Sequence, residues 1–87
     1  MEKLKLDGNA AAGTLQAIFA VEMTTTSGTC DHCGWVAALG AVTVYAQAPG
    51  LVFRCPTCES VLMKIVTDGE RYWVDLRGLR TLELRAG

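Results

Sequence analysis

Val61 to Thr67 and Glu70 to Arg77 are largely apolar runs rich in β-branched and aromatic residues, and Asp68-Gly69 between them suits the positive φ angles of a type I′ turn. This is the strongest strand signal in the chain. A two-residue loop predicts pairing of Ile65 with Tyr72, Met63 with Val74 and Val61 with Leu76 on an apolar core face. Lys64 with Trp73, Leu62 with Asp75 and Val66 with Arg71 then form a mixed face turned to solvent or a partner. Apolar and polar residues alternate from Val42 to Gln47, and the chain then meets Pro49-Gly50 and resumes as a strand from Leu51 to Arg54. With Pro49 and Gly50 at the centre of the turn, Ala48 faces Leu51, Ala46 faces Phe53 and Tyr45 faces Arg54.

Upstream the period changes. Ala11, Leu15, Ile18 and Phe19 fall on one face of a helix that starts near Asp7 or Asn9, either of which can cap it, and runs to about Glu22. The opposite face, with Ala10, Ala17 and Val21, is poor in charge, which leaves room for a second packing partner. Thr24 to Thr29 is rich in β-branched residues and reads as a short strand leading to Cys30. Gly34 to Ala41 is apolar and irregular. Gly78 breaks the last strand, and Leu79 to Leu84 fits either a turn of helix or an edge strand.

The 87 residues fit one small domain, expected as a helix over about 9–22, hairpins over 24–77 and a C-terminal extension over 78–87. A chain of this size builds a marginal core and needs a staple, which its four cysteines can supply. The net charge is -1, and residues 6 to 53 carry no Lys or Arg. No basic stripe follows a phosphate backbone, which argues against non-specific nucleic-acid binding. Arg71, Arg77, Arg80 and Arg85 beside Tyr72 and Trp73 make a local patch diluted by Glu70, Asp75 and Glu83. Lys3 and Lys5 precede an alanine-rich segment, but Asp7, Gly8 and Asn9 interrupt any signal-peptide pattern, and no apolar run has the length of a membrane span. The expected location is the cytoplasm, where thiols stay reduced and paired cysteines read as metal ligands.

The two pairs are Cys30-Asp31-His32-Cys33 and Cys55-Pro56-Thr57-Cys58. Two intervening residues let a tight turn aim both sulfurs at one ion, and the hairpin between the pairs can bring the turns face to face in a closed tetrahedral S₄ site. Here the chain resembles the zinc ribbon superfamily, in which two cysteine-bearing turns clamp a structural zinc between strands. It also resembles a family of small uncharacterised bacterial proteins with an alanine-rich helix, two such pairs and a terminal Asp-Leu-Arg-Gly stretch, here Asp75 to Gly78.

These resemblances imply an α+β fold, an N-terminal helix packed on a small antiparallel sheet of hairpins. They make Cys30, Cys33, Cys55 and Cys58 thiolate ligands of one zinc, and the loaded chain then carries a charge of about -3. Such turns favour Gly after the second cysteine. Gly34 complies and Glu59 does not, which predicts a less regular second turn. His32 reads as an exposed turn residue, and Trp35 as a shield for the metal.

A closed site leaves no position for water, and the chain shows no Ser/His/Asp, paired-carboxylate or phosphate-loop constellation. The expected function is a non-catalytic, zinc-stabilised accessory module that meets a protein partner or a second copy through its helix or hairpin surface, with no small-molecule substrate. An iron electron carrier is the alternative, since Cys-Pro-Thr-Cys is similar to rubredoxins, and a nucleic-acid-binding ribbon is the second alternative.

Overall fold

A computed structural model describes residues 4–47 and 50–84. Among these residues are a short helix and eight antiparallel strands in two sheets: β1 Leu4–Asp7, α1 Ala12–Phe19, β2 Ser27–Cys30, β3 Val36–Ala38, β4 Thr43–Gln47, β5 Gly50–Arg54, β6 Val61–Thr67, β7 Tyr72–Asp75 and β8 Leu79–Glu83. The larger sheet has the order β1-β4-β5-β6-β7 and the smaller one β3-β2-β8. Every pairing is antiparallel.

The helix is shorter than its pattern predicts. The Asp7 carboxylate accepts the Ala10 amide and caps a 3-10 turn over Gly8–Ala11, which leads into α1. Gly8 is needed there because a Cβ would meet the Leu39 carbonyl oxygen at 1.7 Å. At the other end Ala20 adopts a left-handed conformation, φ 57°, and its N–H closes on the Gln16 carbonyl. The Thr25 and Thr26 hydroxyls then donate to the Glu22 carbonyl, so this stretch satisfies its backbone as a turn rather than as more helix. The expected inner face holds: Ala11 and Leu15 are buried, and Ile18 and Phe19 pack against the core beside them.

Both hairpins are displaced by two residues from the expected register. Ala46 faces Leu51, Val44 faces Phe53 and Tyr45 faces Val52, so Gly50 is a strand residue opposite Gln47. Its Cβ would lie 2.7 Å from the Ile65 carbonyl oxygen, so this glycine serves the close approach of β6 rather than the turn. Ala48 and Pro49 lie outside the described residues. In the second hairpin Ile65 faces Val74, Val66 faces Trp73 and Lys64 faces Asp75. The connection spans Asp68 to Arg71, because the Asp68 carboxylate accepts the amides of Glu70 and Arg71 and only Gly69 has positive φ. A type I′ turn needs two such residues.

A slip of two leaves each side chain on its own face. Met63 and Ile65 are therefore buried, with Val74 packed against them. Tyr72 and Leu76, expected in the core, are exposed, and Leu62, expected on the mixed face, is buried. A register irregularity between Phe53 and Arg54 explains the last case: it lets Leu62 and Met63 both turn inward. The segment expected to be irregular forms β3 and a 3-10 turn over Leu39–Ala41. Leu79–Glu83 is a strand, antiparallel to β2. β1 was not anticipated; Leu4 and Leu6 alternate with Lys5, but four residues are a weak signal beside an expected helix.

The core gathers Leu15, Val44, Phe53, Met63 and Ile65 with Met23, Leu39 and Val42, and it includes Cys30 and Cys55. The cysteine turns thus stand at the edge of the packed interior rather than on a separate arm.

Candidate metal centre

Each cysteine turn grows from the end of a strand. β2 ends at Cys30, and β5 ends at Arg54, next to Cys55. In the first turn the Gly34 N–H donates to the Cys30 carbonyl at 2.9 Å, and the Cys30 N–H donates to the Trp35 carbonyl at 2.8 Å. The second turn repeats this: Glu59 N–H to the Cys55 carbonyl at 2.8 Å, Cys55 N–H to the Ser60 carbonyl at 2.9 Å. Gly34 has φ 81° and Glu59 has φ 63°. The expectation of a less regular second turn is therefore corrected. Glu59 takes the left-handed conformation in spite of its Cβ, at a cost of about 1–2 kcal/mol. The Arg54 guanidinium braces it, Nη1 donating to the Glu59 carbonyl at 2.8 Å.

The first turn is held from another direction. The Asp31 N–H donates to the Gly78 carbonyl at 2.9 Å, while the Gly78 N–H donates to the Leu62 carbonyl at 3.1 Å. Gly78 thus ties the first cysteine turn to the strand that follows the second. There is no room for a side chain: a Cβ would stand 1.8 Å from the Val61 carbonyl oxygen. Arg80 adds an exposed ion pair to Asp31, Nε to Oδ1 at 3.4 Å.

These supports bring the four thiols together. All four sulfurs lie within 4.8 Å of one another. Across the turns, Cys30 Sγ is 3.7 Å from Cys58 Sγ and Cys33 Sγ is 3.6 Å from Cys55 Sγ. A tetrahedral ion with metal–sulfur bonds of about 2.3 Å requires sulfur–sulfur edges of about 3.8 Å. The donor set and its spacing therefore fit one structural metal ion. Cys30 and Cys55 are buried, Cys58 is half-buried and Cys33 is exposed. His32 is exposed and stands outside the cluster. Trp35, immediately beyond the first turn, is partly buried against the core.

Without a metal the thiols must share protons, and the turns divide them unevenly. Ser60 donates to Cys58 from its hydroxyl and its amide and, with the neighbouring sulfurs, lowers that thiol to about 6. The Trp35 amide also favours ionisation of Cys33, but partial desolvation and the proton shared with Cys55, Cys58 and Cys30 raise it to about 12. A cation that replaces thiol protons is the natural counter-charge for such a cluster.

Residues 2–87 match a family of unknown function (DUF6510). The chain belongs to that family. No curated protein and no solved structure matches it. For this DUF6510 chain the four cysteines are, among the described residues, where metal-binding side chains converge. The Asp-Leu-Arg-Gly stretch has a structural role: the Asp75 carboxylate accepts the Arg77 N–H at 3.0 Å and pairs with its guanidinium at 2.6 Å, setting the bend that delivers Gly78. Arg77 holds the Asp75 carboxyl down at about 2. Sequence reasoning missed Arg54, Ser60 and Gly78 as supports. Their signal was proximity, since Arg54 precedes Cys55 and Ser60 follows the second pair by two. No helix among the described residues is long and apolar enough to cross a membrane.

Proposed function

We propose that this chain is a non-catalytic module folded around one structural zinc, held by Cys30, Cys33, Cys55 and Cys58, and that its work is done by the surfaces this zinc keeps in place. The observation that carries the reading is the near-identity of the two cysteine turns, which present four converging sulfurs in a closed set. Four protein thiolates fill a tetrahedral shell, so no position is open for a reacting water. Two of the ligands are part of the core, so the metal serves the fold. The two turns resemble zinc ribbon knuckles, the first between β2 and β3 of the smaller sheet and the second between β5 and β6 of the larger one.

Zinc suits this set because it is redox-inert and takes four thiolates without strain; iron accepts the same geometry and is the alternative. Elemental analysis with an absorption spectrum, on untagged protein purified without added metal or chelator, tests the choice. The expected result is one zinc per chain and no visible band. Iron with a thiolate-to-metal charge-transfer band overturns the zinc assignment and makes the chain an electron carrier.

A further inference from the structure

The two sheets end in four edge strands, and three of these are blunted. β1 carries Lys5 and Asp7 within its four residues, β3 is three residues long, and β8 carries Arg80 and Glu83. Charge and brevity of this kind keep an open strand from pairing with another chain. β7 has less of either protection. It runs Tyr72-Trp73-Val74-Asp75, pairs with β6 alone, and bears its one charge at its end. Tyr72 is 45% exposed and Trp73 is 52% exposed.

The loop before β7 sets the direction of its backbone groups. The Asp68 N–H donates to the Arg71 carbonyl, so these two residues begin the ladder as a hydrogen-bonded pair, and bonded pairs alternate from there. Val66 with Trp73 and Lys64 with Asp75 are therefore bonded pairs, whereas Tyr72 and Val74 turn their N–H and C=O groups away from β6. The neighbouring strands agree: the Ile65 carbonyl stands against Gly50 of β5, and the Leu62 carbonyl takes the Gly78 N–H on the opposite side. Further along, the Leu76 carbonyl takes the Leu79 N–H and the Gly78 carbonyl takes the Asp31 N–H. The open edge is thus confined to Tyr72 and Val74, whose four outward groups have no backbone partner among the described residues.

We propose that this chain associates with a second copy through β7, about a two-fold axis at Trp73, so that two five-stranded sheets become one continuous sheet. Antiparallel pairing sets Tyr72 opposite the second copy's Val74 in hydrogen-bonded pairs that use all the outward groups. Trp73 meets its own equivalent in a non-bonded pair, where side chains stand closest. Arg71, which has no ion-pair partner among the described residues, falls opposite the second copy's Asp75, beside the Arg77 that this carboxylate already holds. A shift of two residues either way fails. One would need the Leu76 carbonyl and the other the Glu70 N–H, which the Asp68 carboxylate takes. The pairing names a surface through which the zinc module works and rests on that reading, because the Gly78 bend that ends this edge is tied to the first cysteine turn through Asp31.

The test is sedimentation of the metal-loaded full chain over a concentration series, with zinc measured on the same samples and amide hydrogen exchange followed by NMR. A monomer–dimer equilibrium is expected, with the Tyr72 and Val74 amides slow to exchange in the dimer. Trp73→Lys sets two ammonium groups face to face at the axis and is expected to give a monomer. In it those two amides exchange about tenfold faster or more, while the Asp75 amide, bonded to β6, keeps its protection. Tyr72→Pro removes an N–H that β6 does not use, a change an edge strand tolerates, and is expected to weaken association about 30-fold for the two bonds lost across the axis. Val21→Lys, at an exposed position beyond α1, leaves association unchanged. Unchanged zinc content shows that the variants remain folded. Full zinc with a monomer up to about 1 mM overturns the proposal alone. So does a dimer that survives Trp73→Lys, one whose Tyr72 and Val74 amides exchange freely, or one that Val21→Lys dissociates. A chain that holds no metal overturns the reading beneath it.

Discussion

The two cysteine turns reach one backbone geometry from different residues. The first has Gly34 at its left-handed position, Trp35 beyond it and a brace from Gly78 and Arg80. The second has Glu59 there, Ser60 beyond it and a brace from Arg54 within its own strand. One turn avoids strain and is held by a distant segment. The other accepts strain and is held locally. The shape therefore belongs to the spacing of the cysteines and the hydrogen bonds to their carbonyls, and the left-handed residue adjusts only its cost.

The strongest way to break the comparison is to remove a ligand from each turn. Cys55→Ser is expected to unfold the chain, since a structural zinc of the kind proposed for this site contributes about 10–16 kcal/mol, as much as the whole stability of a small domain. Cys33→Ser also opens the site, but its side chain is exposed, so it disturbs the core less. Circular dichroism and limited proteolysis distinguish the two, and a native-like, protease-resistant Cys55→Ser would show that the metal does not sustain the fold.

Gly78→Ala comes next. With a backbone oxygen 1.8 Å from the new Cβ, the bend must move and the first turn loses its Asp31 tie, for an expected loss of about 3 kcal/mol in chemical denaturation. The second turn makes no such contact with Gly78, so a metal-exchange assay should show faster release with the Arg54 brace intact.

Exchanging the left-handed residues sharpens the contrast at a smaller scale. Glu59→Gly is expected to stabilise by about 1 kcal/mol and Gly34→Glu to destabilise by about 1–2 kcal/mol, both read from thermal melts of the metal-loaded protein. Equal and negligible shifts would mean that the turns do not store strain unequally. Smallest are the braces. Arg54→Ala loses a hydrogen bond worth about 1 kcal/mol, whereas Arg80→Ala loses an exposed ion pair worth about 0–1 kcal/mol. A larger effect at Arg80 would reverse the assignment of local and distant support.

How much of this could be read from the chain depended on the range of the interaction involved. The cysteine spacing, the inner face of the helix at Leu15 and Ile18, and the hairpin that separates the cysteine pairs are local patterns, and all are legible. The hairpin registers were not, because they depend on contacts beyond the turn. Asp68 satisfies a longer loop with its own carboxylate, and Gly50 is small for the sake of the Ile65 carbonyl rather than for Pro49. Leu62 turns inward only because β5 and β6 change register beside it. The pairing of β8 with β2 joins segments far apart in sequence, so Leu79–Glu83 had no local feature to decide between helix and strand.

That last pairing fixes an order of assembly. Leu79 follows Cys58 by 21 positions, so all four cysteines are synthesised before the strand that pairs beside the first turn. The β4–β5–β6 meander, whose contacts are short in sequence, can form early, whereas the β2–β8 ladder must wait and close a long loop. Metal capture and closure of the smaller sheet are thus separable events. The two cysteine turns can meet with one edge of β2 still unpaired, and the pairing of β8 then fixes the first turn in place.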